Sequence, residues 1–192
     1  MKRSKAAHIF ERVDADHYVE PSWVSARLFA VEKFASRIHD PACGWGTILQ
    51  SAQAAGYRIE GSDIVRRRNG FVFDVFTKQD FLRVSAHDEP SSEVSIVCNP
   101  PFDQVEKFCR KACTLAGKVA MIMPVRRLNA AHWLEELPLQ KIYLLTPRPS
   151  MPPGSWLAAG NGAGGGTVDF CWIIFSKGYT GSPQLRWLHR DD

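Results

Sequence analysis

The chain has 192 residues, 45% of them hydrophobic and 23% charged, with a formal net charge of +4 and a pI near 8.9. That balance suits one ordinary globular domain whose core needs neither disulfides nor a structural metal. No apolar run approaches the roughly 18 to 20 residues of a membrane span, and the charged start Met1-Lys2-Arg3-Ser4-Lys5 leads into no signal-peptide stretch, so a cytoplasmic protein away from membranes is expected.

The first 35 residues read as helix and loop packed across the core. From residue 36 onward, short apolar runs alternate with helix-like stretches, the rhythm of a doubly wound α/β sheet. Residues 36–40 read as a first strand, 47–55 as a helix closed by Gly56, and 57–63 as a second strand ending at Asp63. A weaker element over 72–77 leads to Asp80-Phe81. A buried strand over 94–98 then runs straight into Asn99-Pro100-Pro101-Phe102. A helix over 104–115, a strand over 118–123, a helix over 126–137 and a strand over 140–145 follow.

Residues 147–166 hold too much Pro and Gly for helix or central strand and read as a long loop, either laid over an active site or a spacer. The strand over 167–175 follows with no helix between, which makes the last two strands an antiparallel pair at the sheet edge. The expected fold is therefore a Rossmann-like sheet of seven strands, mostly parallel with an antiparallel last strand. It comprises an N-terminal segment 1–35, a core 36–178 and a tail 179–192.

Cys43, Cys98, Cys109, Cys113 and Cys171 show neither CxxC pairing nor a His at zinc-ligand distance, so they read as buried thiols and no metal site is expected. The basic residues come in knots, Arg66-Arg67-Arg68 and Arg126-Arg127, which suit a polyanionic partner or a solvated loop surface.

Asp40-Pro41-Ala42-Cys43-Gly44-Trp45-Gly46 sits where a strand hands over to a helix, the place where open α/β sheets bind ligands. Its two glycines let the backbone approach a cofactor, and Asp40 suits an ammonium group better than a phosphate; a bare tight turn has the same look. Asp63, 23 residues after Asp40, stands where an acid reaches ribose hydroxyls, with Ile64 beside it. Asp80 and Phe81 add an acceptor for an adenine amine and an apolar wall. At Asn99-Pro100-Pro101-Phe102, a planar amine can donate to the Asn99 oxygen and the Pro100 carbonyl while Phe102 stacks on its ring.

Together these residues resemble the class I S-adenosylmethionine (SAM)-dependent methyltransferases, in the amino-methyltransferase branch marked by (D/N/S)PP(Y/F/W), over roughly residues 18–176. The resemblance implies a methionine-binding loop at Asp40, Pro41, Cys43, Gly44 and Gly46, a ribose-binding Asp63, an adenine-binding Asp80-Phe81 and a catalytic Asn99, Pro100, Pro101 and Phe102. It also implies a cofactor contact from the upstream segment His17-Tyr18-Val19-Glu20-Pro21, through Tyr18 and Pro21. There Glu20 stands where many relatives have Thr or Ser. The pattern is similar to small phage and prophage DNA adenine-N6 methyltransferases, which implies SAM as cofactor and nucleic acid as partner, DNA favoured over RNA. Arg66, Arg67, Arg68, Arg126 and Arg148 are the candidate phosphate contacts, and sequence selection rests on short loops, on a partner protein, or is loose. The alternatives are adenine in RNA or a glutamine amide in protein as acceptor and, from another class, a binding module with a silent SAM pocket.

Overall fold

The computed structural model describes residues 18–67, 75–85 and 93–191. Helix α1 spans Ser22–Val31, followed by strand β1 (Arg37–Asp40), helix α2 (Thr47–Ala54), β2 (Arg58–Asp63) and β3 (Phe76–Lys78). After a 3-10 turn at Phe81–Arg83 come β4 (Val94–Cys98), α3 (Val105–Leu115) and β5 (Lys118–Pro124). Two 3-10 helices lead to β6 (Leu139–Thr146), a short helix α4 (Gly154–Ala158), β7 (Phe170–Ser176) and β8 (Gln184–His189). No helix among the described residues is long and apolar enough to cross a membrane.

The strands form one sheet in the order β3-β2-β1-β4-β5-β7-β6-β8. The run from β3 to β5 is parallel, β7 lies antiparallel to both β5 and β6, and β8 lies parallel to β6. Strand β1 pairs through Arg37 with Arg58 of β2 on one side and Val94 of β4 on the other. The order of the sheet therefore reverses at β1/β4, and the carboxyl ends of these strands open onto a crevice there.

Side chains alternate across β5, so that Ala120 and Ile122 join one core while Val119, Met121 and Met123 join the other. The first core packs Val24, Leu28 and Phe29 of α1 with Ile48, Leu49 and Ala52 of α2 against the sheet. The second packs Phe108, Cys109, Ala112 and Leu115 of α3 on the opposite face. Burial on both faces explains the unbroken apolar run of β4, all five of whose residues are buried. All five cysteines are free, and only Cys113 is not fully buried.

Glu32, just past α1, is 2% exposed and accepts from Lys118 and Lys141, the former at the start of β5, and from the Tyr143 hydroxyl at 2.7 Å. Burial opposes its ionisation, but these donors outweigh burial and hold its carboxyl below the usual range. That network ties the C-terminal end of α1 to β5 and β6.

Two expectations change. Among the described residues the sheet has eight strands rather than seven, because residues 184–189, expected within a tail, form β8 and cover the edge that β6 was expected to share with β7. Only Leu188 of β8 is buried, so its sequence carries little alternation to read. The single helix expected over 126–137 is two 3-10 helices, Val125–Ala130 and His132–Glu136, joined at Ala131. Leu128, Ala131, Leu134 and Leu137 recur every third residue and pack on the second core, a period that suits three residues per turn. Of the weak element expected over 72–77, Phe76 and Thr77 fall in β3 at the other sheet edge, and 72–74 lie outside the described residues.

Candidate active site

A cavity of about 690 Å³ opens at the carboxyl ends of β1, β2 and β4. One wall is the β1–α2 loop. Gly44 (φ 50°) and Gly46 (φ 81°) take left-handed conformations there, which lets the loop fold back on β2. The Cys43 N–H donates to the Ser62 carbonyl (3.0 Å) and the Gly44 N–H to Asp63 Oδ2 (2.9 Å). Asp63 Oδ1 also accepts from the Val65 N–H (3.0 Å) and from Arg67 (3.1 Å), so the carboxylate is aimed from three sides and keeps acceptor capacity for a ligand. Asp80 caps the next 3-10 turn through the Leu82 N–H at 3.0 Å. Phe81 behind it is 2% exposed and packs 5.1 Å from Phe108, so it serves as a floor of the cavity.

The opposite wall is the end of β4. Asn99 Nδ2 donates to the Tyr18 carbonyl (2.9 Å) and to Glu20 Oε2 (2.8 Å). The Gln104 N–H closes onto the Pro101 carbonyl (2.9 Å) and starts α3. Phe102 is half-buried between Tyr18, nearly parallel at 6.3 Å, and Phe170 at 5.5 Å, which leaves an aromatic surface beside Asn99.

Acids dominate the deep end. Glu20 is 6% exposed and Asp40 2%, and both line the cavity with Asp63. Burial raises the Glu20 carboxyl to about 7 against the hydrogen bonds from its own backbone N–H and Asn99. Burial, and then the neighbouring Glu20 and Asp63 charges, raise Asp40 well above its usual value, although the Cys98 thiol and the Ala42 N–H bond to it. At this end the Arg67 cation pairs with Asp63, at 3.1 Å. Arg126 and Arg127 line the cavity from the segment after β5.

The 147–166 stretch lies over this site. Pro149, Ser150, Met151, Gly165 and Gly166 line the cavity, and the Val19 N–H donates to the Pro152 carbonyl at 3.0 Å beside a Tyr18–Pro153 bridge. The stretch is folded on itself: Ser150 bonds the Ala163 carbonyl and the Trp156 indole bonds the Gly162 carbonyl (2.9 Å).

Most residues singled out in the sequence meet here. Tyr18, Asp40, Pro41, Cys43, Gly44, Asp63, Ile64, Asp80, Phe81, Asn99, Pro100, Pro101, Phe102 and Arg126 all line the one cavity. Gly46 stands behind it as the N-cap of α2, and Pro21 as the N-cap of α1. Arg67 joins the site through Asp63 rather than from an outer rim. Arg66 lies over the Phe76 ring at 4.9 Å and Arg148 pairs with Asp169 at 2.6 Å, both away from the cavity lining, and Arg68 lies outside the described residues. Sequence reasoning missed Arg127, whose position next to Arg126 was the available signal. It also passed over Glu20, which was visible only as an acid where a hydroxyl residue was expected.

No protein-family model and no curated protein matches the chain. Solved structures do match in fold. A candidate hemolysin from Lactococcus lactis aligns with a TM-score of 0.60 at 12% identity, over 84% of this chain and 91% of that one. A candidate RNA methyltransferase from Pyrococcus horikoshii aligns with a TM-score of 0.52 at 12% identity, over 81% and 80%. A SAM-dependent O-methyltransferase from Thermotoga maritima aligns with a TM-score of 0.50 at 15% identity, over 83% and 66%. The roles given to these proteins diverge while their architecture does not; the chain is built on the Rossmann-like α/β fold of SAM-dependent methyltransferase structures.

Proposed function

We propose that the chain is a SAM-dependent methyltransferase that methylates the exocyclic N6 amine of adenine in DNA. The observation that carries this reading is that Asn99-Pro100-Pro101-Phe102 and the acids of β1 and β2 face one another across a single cavity at the β1/β4 reversal.

The residues fit such a cofactor. A cavity of about 690 Å³ falls within the roughly 300–1,000 Å³ of small-molecule sites. Its buried Asp40 favours a ligand that brings positive charge, as an ammonium does. In this assignment Asp40 and the loop through Gly44 hold the methionine end, Asp63 the ribose hydroxyls, and Asp80 with Phe81 the adenine. When bound, SAM supplies a methyl group already activated by its sulfonium leaving group.

At the acceptor end, the Asn99 oxygen and the Pro100 carbonyl each accept one N–H of the amine. This reduces conjugation of its lone pair with the base and aims that lone pair into the cavity. Phe102 stacks on the base, offsetting the stacking lost when the base leaves its strand by roughly 1–3 kcal/mol. Arg126 and Arg127 meet flanking phosphates, which suits the net charge of +4. After transfer the surplus proton passes to solvent.

Incubation with methyl-labelled SAM and, in parallel, unmethylated DNA, bulk RNA and extract protein tests the reading. Label in DNA is expected. Label confined to RNA or to protein glutamine would keep the chemistry and replace the acceptor, and SAM binding without label anywhere would mark a silent binding module.

A further inference from the structure

We infer that Glu20 is a positioning residue that locks the Asn99 side-chain amide with its oxygen, not its nitrogen, toward the reacting amine. The inference rests on the reading of Asn99 as the acceptor of an amine N–H.

A primary amide is nearly symmetric in shape, and a half-turn about its last bond exchanges a hydrogen-bond acceptor for a donor. Only the oxygen can accept from a substrate N–H, so an Asn in this role needs something to choose its orientation. Here the choice is made from behind. Nδ2 has two protons, and both are taken by oxygens: the Tyr18 carbonyl at 2.9 Å and Glu20 Oε2 at 2.8 Å. The half-turned amide would press its own oxygen against the Tyr18 carbonyl, and against Glu20 once it is ionised, with no proton between, leaving buried acceptors unpaired.

Of the two partners, Glu20 gives the stronger preference. Above a pH of about 7, where Glu20 is ionised, its carboxylate only accepts, and its bond to an N–H is charge-assisted. Its placement is also well determined. The carboxylate is 6% exposed, its own N–H bonds back to it, and Pro21 fixes the following backbone at φ −67° as the N-cap of α1. On the other side, the Val19–Pro152 hydrogen bond and the Tyr18–Pro153 bridge tie the segment to the loop over the site. Asp40 and the Cys98 thiol are the titratable neighbours that feel the Glu20 charge. Neither supplies a cation that would draw the carboxylate away from Asn99.

The test reads the amide directly and then its consequence. In 15N-labelled protein, the Asn99 side-chain NH2 pair is identified by its disappearance in Asn99→Ala. It is expected to exchange slowly with solvent, and Glu20→Ala is expected to shift one of its two protons upfield. An Asn99 pair that exchanges like an exposed one, or that is unmoved by Glu20→Ala, overturns the inference. In methyl transfer at pH 8, where Glu20 is ionised, Glu20→Ala is expected to lower kcat by about 10- to 100-fold with SAM affinity within about threefold, while Glu20→Gln, which keeps an acceptor oxygen, retains at least about a third of kcat. A loss of SAM affinity that accounts for the whole effect, or an unchanged kcat, overturns it. Asn99→Asp places an oxygen against Glu20, and Glu20→Gln in that background is expected to recover about tenfold by donating an N–H. Should the wild-type protein methylate no acceptor, the proposed function fails, and the amide spectrum alone decides the role of Glu20.

Discussion

Helix α1 has a buried glutamate just beyond each end, and the two are treated in opposite ways. Glu32 is met by two lysines and a tyrosine hydroxyl and stays ionised below its usual range; Glu20 meets a neutral amide and is raised to about 7. Both are almost fully removed from water, at 2% and 6% exposure. Burial alone therefore does not decide what a buried acid is for; its partners do. The acid with counter-ions fastens α1 to the sheet. The acid without them stands in the cavity, where it holds the Asn99 amide.

Breaking the Glu32 network should have the largest effect on stability. Glu32→Ala leaves Lys118, Lys141 and Tyr143 without their shared acceptor and is expected to cost roughly 3–5 kcal/mol. In a chain of this size that lowers Tm by about 10 °C, while kcat per folded molecule stays unchanged. Thermal melting with active-site titration checks both parts.

Glu20→Gln should move stability the other way. Because folding raises the Glu20 pKa from 4.5 to about 7, its contribution favours the folded state fully below pH 4.5 and is lost as pH rises through about 7, a span worth roughly 3 kcal/mol. A glutamine does not ionise, so the variant is expected to melt several degrees above wild type at pH 8 and level with it near pH 4.5. A variant less stable than wild type at pH 8 would contradict the contrast between the two glutamates.

The difference between the glutamates also separates what the sequence discloses from what it hides. Asn99 was legible because it follows a strand whose burial is written in its apolar run, and Asp40 and Asp63 because each closes a strand just before a turn. Glu20 lies 79 residues from Asn99, in a segment with no periodicity, and its role depends on a tertiary contact that no local pattern encodes. The same reason hid β8, whose partner strand β6 lies more than thirty residues earlier, between which the whole 147–166 loop and β7 intervene. The 3-10 geometry of residues 125–136 was hidden differently, since a stripe at every third residue reads equally as a loose helical face.

A finer contrast concerns the arginines. Arg126 and Arg127 line the cavity, whereas Arg148 is paired with Asp169 and Arg66 lies over Phe76. Arg126→Ala and Arg127→Ala should each reduce the magnitude of the log-log salt slope of DNA binding by about 1, and Arg148→Ala should leave it nearly unchanged. Equal slopes for all three variants would remove the distinction between cavity and surface arginines.

The smallest change with a local effect is Gly166→Ala. A Cβ there would meet the Arg148 carbonyl and come within 2.6 Å of the Pro149 carbonyl, so the loop over the site must shift. A raised acceptor KM with SAM affinity preserved is expected, measured by steady-state kinetics and calorimetry; weakened SAM binding would place the loop over the cofactor instead.

The central claim is that the end of β4 presents an amine to a methyl donor across the cavity. It is tested most directly by digesting DNA after incubation with methyl-labelled SAM and identifying the labelled nucleoside, for wild type and for Asn99→Ala. The account predicts N6-methyladenine from the wild-type protein and a loss of about 10²–10³-fold in the variant. Label on another atom of the base, or N6-methyladenine formed equally well by Asn99→Ala, would contradict it.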